Sequence, residues 1–148
     1  MGRPRYDTDD AVSLGALAAH EAGHGVIAVV QGIAVQHCRL GPTGGYTRHR
    51  DVPADHPEIE LAILLAGQEA EAYWLTRHAG LWFGSALRLA AKASEDDLRE
   101  VRRLRKHTGS SESRIRSHTR ALVRRHWGRI DRATHRLYTR GRLSGSAL

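Results

Sequence analysis

The feature that most constrains this chain is an apolar, proline-free run from Ala16 to Val30. Its length and small side chains predict a helix at about residues 11–31, with Thr8, Asp9 and Asp10 as cap candidates. The run contains His20-Glu21-Ala22-Gly23-His24, and in a helix its two histidines lie one turn apart on one face. We therefore expect the chain to fold around a helix that presents two imidazoles side by side.

Two imidazoles at this spacing can bind one metal ion, and Zn²⁺ accepts neutral nitrogen ligands in a tetrahedral arrangement. Glu21 follows the first histidine, where its carboxylate can take a proton from a metal-activated water. This H-E-x-x-H pattern is typical of zinc hydrolases. The alternative is chance, because the chain has ten histidines in 148 residues. The sequence thus predicts His20 and His24 as metal ligands, Glu21 as general base and Zn²⁺ as cofactor.

The rest of the chain predicts a mainly α-helical fold with a small β-hairpin or sheet beside the first helix. A Gly/Pro turn at residues 41–45 separates a partly alternating segment from Tyr46-Thr47, which is typical of a hairpin. Pro57 fits the first turn of a second helix that runs to about His78. Small residues on this second helix predict a close approach to the first: Ala62, Ala66, Gly67 and Ala70.

The chain length is that of a single domain, which we place at residues 11–145 after a flexible N-terminal tail at residues 1–10. The segment Ser94-Glu95-Asp96-Asp97 has the form of a capping box before another helix. Residues 113–142 are predicted to form one basic C-terminal helix. Between Arg99 and Arg142 there are fifteen basic and three acidic residues, whereas the first 98 residues are net acidic.

A zinc site needs a third protein ligand besides the two histidines. A carboxylate on a neighbouring helix is physically reasonable, but spacing alone does not rank the candidates. They are Glu69, Glu71, Asp96, Asp97, His37 and His107.

Several segments together resemble the peptidase domain of the FtsH-type ATP-dependent zinc metalloproteases. They occur in the family's order and extend over about residues 12–145. Asp96 departs from the pattern, since the family usually has asparagine there. The segments are Ala19–His24, Gly44-Gly45-Tyr46-Thr47, Leu64–Glu71, Ser94–Leu98, and the closing run from Ala121 to Gly145.

This resemblance implies a zincin-like active-site helix and an FtsH peptidase-like helical fold. It makes His20, His24 and Asp97 the metal ligands and Glu21 the catalytic base. Glu71 becomes a carboxylate that orients a ligating imidazole. The segment Gly45-Tyr46-Thr47 becomes a strand edge that binds the substrate peptide.

The implied activity is that of a zinc metalloendopeptidase acting on short or unfolded peptides. The chain contains no G-x-x-x-x-G-K-[ST] loop, so we expect ATP-independent action, or delivery of substrate by a separate ATPase. The family's ring assemblies are consistent with a homo-oligomer. A single cysteine, Cys38, favours a reducing, cytoplasmic setting, and we expect no 18-residue segment apolar enough to span a membrane.

Two other functions compete with this one. The basic half could bind nucleic acid or an acidic partner, but only Trp127 and Tyr138 supply aromatics there, so no stacking platform is expected and nucleic acid is disfavoured. The tryptophans Trp74, Trp82 and Trp127 are interpreted as core or interface residues. A zinc-binding scaffold without catalysis is the other alternative, which the presence of Glu21 disfavours.

Overall fold

The computed structural model describes residues 6–148 and is mainly helical, with one three-stranded antiparallel sheet. The predicted fold class, mainly α with a small sheet, is confirmed at this level. Short 3₁₀ turns occur at Lys92–Ser94 and Gly145–Ala147. The helices are α1 (Asp9–Val30), α2 (Pro57–His78), α3 (Phe83–Ala91), α4 (Glu95–Arg105), α5 (Glu112–Arg125) and α6 (Trp127–Arg140), and the strands are β1 (Val35–Gly41), β2 (Gly44–His49) and β3 (Arg142–Ser144).

Helices α1 and α2 pack closely through small residues, as the sequence predicted. A Cβ atom on Gly23 of α1 would lie 2.6 Å from the carbonyl oxygen of Ala66 on α2. Ala62, Ala66 and Ala70 are fully buried against α1 in the main apolar core. This close approach brings the histidine face of α1 against α2.

The prediction of a flexible tail at residues 1–10 is wrong for residues 6–10, and residues 1–5 lie outside the described part. Helix α1 begins at Asp9, and the Thr8 hydroxyl accepts a hydrogen bond from Ala11 N at 3.1 Å. The Tyr6 ring lies 4.8 Å from the Trp74 ring and 4.9 Å from the Tyr138 ring, centroid to centroid. These edge-on aromatic contacts hold the segment before α1 against α2 and α6.

The single basic helix predicted at residues 113–142 is in fact two helices, α5 and α6, followed by β3. The chain turns at His126, where φ is −103° and ψ is 17°. Ile115 of α5 packs against apolar residues of α2 and α4, whereas Leu137 of α6 belongs to the core around α1. The two halves bury their apolar faces against different neighbours. One straight helix could not make both sets of contacts.

The predicted hairpin of β1 and β2 has a third strand beside it, which sequence analysis missed. The sheet order is β2-β1-β3, so β1 is central and β2 is an edge strand. Leu143 of β3 and Thr47 of β2 both pair with Cys38 of β1. The Cys38 side chain is buried beneath α1, with Sγ 3.6 Å from the carbonyl oxygen of Glu21. The sheet therefore lies directly against the segment of α1 that carries Glu21.

Among the described residues, α1 is the one helix long and apolar enough to cross a membrane by length and composition, with a mean hydropathy of 1.2. The expectation that no such segment exists is wrong by this measure. Within the fold, 72% of that window is buried by the rest of the protein. A core helix meets the same criterion, and here the residues concerned pack in the core.

Candidate metal centre

His20 and His24 lie side by side on the buried face of α1, as their spacing predicted. Their Nε2 atoms are 3.0 Å apart. His20 Nδ1 donates a hydrogen bond to Glu71 Oε2 at 2.9 Å, and His24 Nδ1 donates one to the Ile63 carbonyl oxygen at 2.7 Å. Because each Nδ1 faces an acceptor, it carries a ring proton, so in the form that can bind a metal ion each ring has its lone pair on Nε2.

Asp97 completes a cluster of three donor atoms. Its Oδ2 atom lies 3.2 Å from His20 Nε2 and 3.1 Å from His24 Nε2. Three electron pairs directed at one another repel unless a proton or a metal ion lies among them. Tetrahedral ligands bound at 2.0–2.1 Å are about 3.3 Å apart, close to these separations. His20, His24 and Asp97 could therefore hold a metal ion.

The charges around this cluster alter its titration in the absence of metal. Burial lowers the pKa of His20, but the hydrogen bonds to Asp97 and Glu71, together with the charges of Glu21 and Glu71, outweigh it and raise that pKa to about 10. Burial raises the pKa of Asp97, but the bonds to the two histidines hold it well below its usual range. Burial raises the pKa of Glu71, partly opposed by His20. A cation is thus favoured between the histidines and Asp97.

Asp97 reaches the histidines because α4 is fixed against α2. Val101 of α4 is buried with Leu61 and Leu65 of α2. The predicted capping box is wrong, because the Ser94 hydroxyl donates to Ala90 O at 2.8 Å and makes no cap. The residues before Ser94 already form a 3₁₀ turn, so its nearest acceptor is the carbonyl four residues earlier.

The other candidates for a third ligand point elsewhere. Asp96 is exposed and pairs with Arg99, while Glu71 contacts Nδ1 of His20 and not Nε2. The Glu69 carboxylate pairs with arginines of α5. His37 packs against the ring of Tyr46, and His107 lines a neighbouring cavity.

The Glu21 carboxylate lies beside the cluster and is positioned by β2. The Thr47 hydroxyl lies 2.7 Å from Glu21 Oε2 and 2.9 Å from Glu21 O, so it can donate to either oxygen. A Cβ atom on Gly45 would come within 2.8 Å of Glu21 Cγ. Thr47 therefore contacts Glu21 directly and Gly45 leaves room for its side chain, besides the part that the resemblance gave them in substrate binding.

These residues open onto a cleft of about 260 Å³ between α1, α2, β2 and the start of α4. Tyr46 is half exposed at this cleft. His49 was not identified from the sequence, although the alternation of β2 puts it on the same face as Gly45 and Thr47. The cleft is lined by His20, Glu21, His24, Gly45, Tyr46, Thr47, His49, Ile63, Leu64, Ala93, Asp96 and Asp97.

Gly67 of α2 makes room for the two imidazoles. A Cβ atom at this position would overlap His24 Nε2 and lie 2.7 Å from His20 Nε2. The second helix therefore approaches the cluster closely at a residue without a side chain. Gly67 was predicted to lie on the small-residue face of α2, but its closeness to the histidines was not predicted.

An ion-pair network behind the cleft was not predicted. Glu69 is 1% exposed at its side chain, and its carboxylate bonds to Arg120 Nε at 2.9 Å and to Arg116 Nη1 at 3.2 Å. Arg116 also donates to Gln68 Oε1 at 3.0 Å. The network joins α5 to α2 two residues before Glu71, and so it supports the helix that carries the partner of His20.

No model of a known protein family matches the chain, and a search of curated proteins finds no match to its sequence. The function is therefore inferred from the site itself.

Proposed function

We propose that this protein is a zinc-dependent metallopeptidase that hydrolyses peptide bonds in short or unfolded peptides. The observation that carries the proposal is the meeting of His20 Nε2, His24 Nε2 and Asp97 Oδ2 within 3.2 Å of one another. Glu21 lines the same cleft. Zinc hydrolases with a H-E-x-x-H helix use the same set of groups: two imidazoles and one carboxylate as ligands, and a second carboxylate that does not bind the metal.

Zinc is the metal that suits this donor set best. Two imidazoles and one carboxylate oxygen offer three ligands and leave a fourth position open, which is typical of catalytic zinc. Ca²⁺ and Mg²⁺ prefer oxygen ligands. Glu71 and the Ile63 carbonyl fix the ring orientation of the two histidines from behind, in the way that outer carboxylates and carbonyls orient zinc-bound histidines.

A mechanism follows from the positions of the cleft residues. Bound Zn²⁺ would lower the pKa of a water towards neutrality and polarise the substrate carbonyl. Glu21 accepts a proton from the attacking water and passes it to the leaving amine. Thr47 holds Glu21 Oε2, which leaves Oε1 to accept the proton.

The substrate class follows from the edge strand and the size of the cleft. In the described chain the outer edge of β2 has no partner strand, so an extended peptide can add to it by backbone hydrogen bonds. A cleft of about 260 Å³ accommodates a few side chains but not a folded domain. An FtsH-type peptidase fold with a zincin-like helix belongs to this proposal, supported by the collinear segments described above.

The test combines metal analysis with peptide digestion. Purified wild-type protein, Glu21→Gln and His24→Ala are measured for zinc content and then incubated with a library of unstructured peptides. We expect wild type to hold zinc and cleave, Glu21→Gln to hold zinc without cleaving, and His24→Ala to lose the metal. If wild type holds zinc but cleaves nothing, the protein is a zinc-binding scaffold. If it binds no metal, the hydrolase proposal fails.

A further inference from the structure

A row of alternating arginine and aromatic side chains lies across α2, α3 and α5. Arg120 Cζ is 4.6 Å and Arg124 Cζ is 5.3 Å from the centre of the Phe83 ring. Arg124 Cζ is also 5.4 Å, and Arg77 Cζ 5.7 Å, from the centre of the Tyr73 ring. Three guanidinium groups are thus interleaved with two rings, and the contacts of Arg120 and Arg124 join α5 to α3 and α2.

Trp82 is an exposed aromatic residue adjacent in sequence to this row. It stands immediately before Phe83, at the start of α3, and is 86% exposed. It is therefore not a core residue of the described chain, and its interpretation as an interface residue stays a prediction. The positions of Phe83 and Tyr73 can be explained by cation–π contacts that pack the helices together. Such packing does not explain an exposed indole at Trp82. We call Tyr73, Arg77, Trp82, Phe83, Arg120 and Arg124 the arginine–aromatic patch.

The positive charge of this patch is largely uncompensated. Among the residues that the structure describes, neither Arg77 nor Arg124 forms an ion pair, and Arg120 pairs with the buried Glu69. Tyr73 follows Glu71 by two residues, which is about 200° around α2. The patch therefore faces away from the metal centre and has no part in the proposed hydrolysis.

We propose that the arginine–aromatic patch binds single-stranded nucleic acid. Guanidinium groups that lie over aromatic rings can still donate N–H groups to phosphate oxygens, and arginine planes can stack with bases. The Trp82 indole offers a stacking surface that accepts any base. A stacking platform was not expected from the sequence, because these rings come from α2 and α3, outside the basic segment.

A single-stranded nucleic acid fits this patch better than an anionic membrane does. Phe83 and Tyr73 are covered by arginines, so they are not free to enter lipid. Trp82 is the one aromatic of the patch that is largely exposed. Stable binding to a membrane surface needs a larger buried apolar area together with the basic charge.

The test measures binding of a fluorescent single-stranded oligothymidylate of about 15 nucleotides by the full chain, at salt concentrations from about 50 to 200 mM, where phosphate contacts give a linear salt dependence. Binding should quench tryptophan fluorescence in wild type. Trp82→Ala should weaken binding about tenfold, and Trp82→Phe should restore most of it, because one stacked base is lost and regained.

The arginines are tested with a matched pair of double variants. Arg77→Gln/Arg124→Gln should reduce the slope of log affinity against log salt by about 1.4, which is two contacts at about 0.7 each. Arg132→Gln/Arg140→Gln removes the same charge from exposed positions on α6 and should leave the slope unchanged. The proposal is overturned if both doubles lower the slope equally, if wild type fails to bind at the lowest salt, or if it binds anionic vesicles and not the oligonucleotide.

Discussion

The hydroxyl of Thr47 on the edge strand lies 2.7 Å from Oε2 of Glu21 on the central helix. It fixes the carboxylate without touching the three donor atoms of the metal cluster. Thr47→Val should therefore reduce peptide hydrolysis about tenfold, since a general base contributes roughly 10²–10⁴-fold and only its orientation is lost. Zinc content should not change. Thr47→Ser keeps the donor and should retain activity; equal activity of all three proteins would remove Thr47 from the mechanism.

Asp97 and Glu71 should differ in their effect on zinc affinity. Asp97 offers its oxygen to both Nε2 atoms, whereas Glu71 holds Nδ1 of His20 from behind. Asp97→Asn should abolish stable zinc binding, and Glu71→Gln should weaken it by about 10–100-fold, as is usual for outer partners of metal ligands. Competition with a zinc-specific chelator measures both. The reverse ranking would make Glu71 the ligand.

Gly67 should not tolerate a side chain. A methyl group there would overlap His24 Nε2, so Gly67→Ala should displace the imidazoles and abolish zinc binding. Gly84 in α3 is the matched control, because its nearest neighbour would be Arg88 Nη1 at 3.8 Å. Gly84→Ala should bind zinc normally and gain up to about 1 kcal/mol in stability. Normal zinc binding by Gly67→Ala would contradict the geometry of the cluster.

Stability of the metal-free protein should fall as pH rises. Burial acts against protonation of His20, but Asp97 and Glu71 raise its pKa to about 10, above about 6.5 in the unfolded chain. A raised pKa contributes stability that is complete below about pH 6.5 and is lost as pH approaches 10. Thermal unfolding with chelator should show a melting temperature at least about 3 °C lower at pH 10 than at pH 6.

In the presence of zinc the pH dependence of stability should have the opposite sign, because the metal ion and the proton compete for Nε2 of His20. Apparent zinc affinity should decrease as pH falls, by up to about tenfold per unit. The metal-free variant His20→Gln is the control and should lose most of the pH dependence of unfolding between about pH 6.5 and 8.5, below the range in which the Cys38 thiol begins to titrate. A metal-free wild type that becomes more stable over that interval would contradict the proposed hydrogen bonds of His20.

The buried carboxylate of Glu69 should depend on its two arginines. The double variant Arg116→Met/Arg120→Met leaves this carboxylate buried and without a cationic partner. We expect a loss of roughly 3 kcal/mol in the free energy of unfolding, or a fall of about 10 °C in melting temperature. Arg99→Ala breaks only the exposed pair with Asp96 and should leave the melting temperature unchanged. Equal effects of the two changes on melting temperature would show that the Glu69 ion-pair network contributes nothing to the free energy of unfolding.

Much of the geometry of the cluster formed by His20, His24 and Asp97 could be predicted, because the positions of its two histidines are encoded locally. The spacing of His20 and His24 fixes their relative position once α1 is a helix. Pro57 marks the start of α2, and the small residues of that helix indicate which face approaches α1. Asp97 could be chosen among the candidate third ligands only through the family resemblance, because spacing along the chain does not say how α4 packs on α2.

The features that sequence analysis missed depend on contacts between distant segments. β3 has three residues and one buried side chain, Leu143, so no periodicity identifies it before β1 is in place. The break at His126 follows from where α5 and α6 pack. The arginine–aromatic patch likewise takes its rings from helices remote in sequence from Arg120 and Arg124.

Because Cys38 is buried, the rate at which its thiol is modified can measure how often the sheet separates from α1. Cys38 is the sole cysteine, and burial, aided by the charge of Glu21 and opposed by the Thr47 hydrogen bond, raises its pKa to about 11. Alkylating reagents should therefore modify it only when β1 separates from α1. Because Thr47 is opposite Cys38 in the β-ladder, the rate of thiol modification under native conditions would report how often Glu21 loses its hydrogen bond from Thr47.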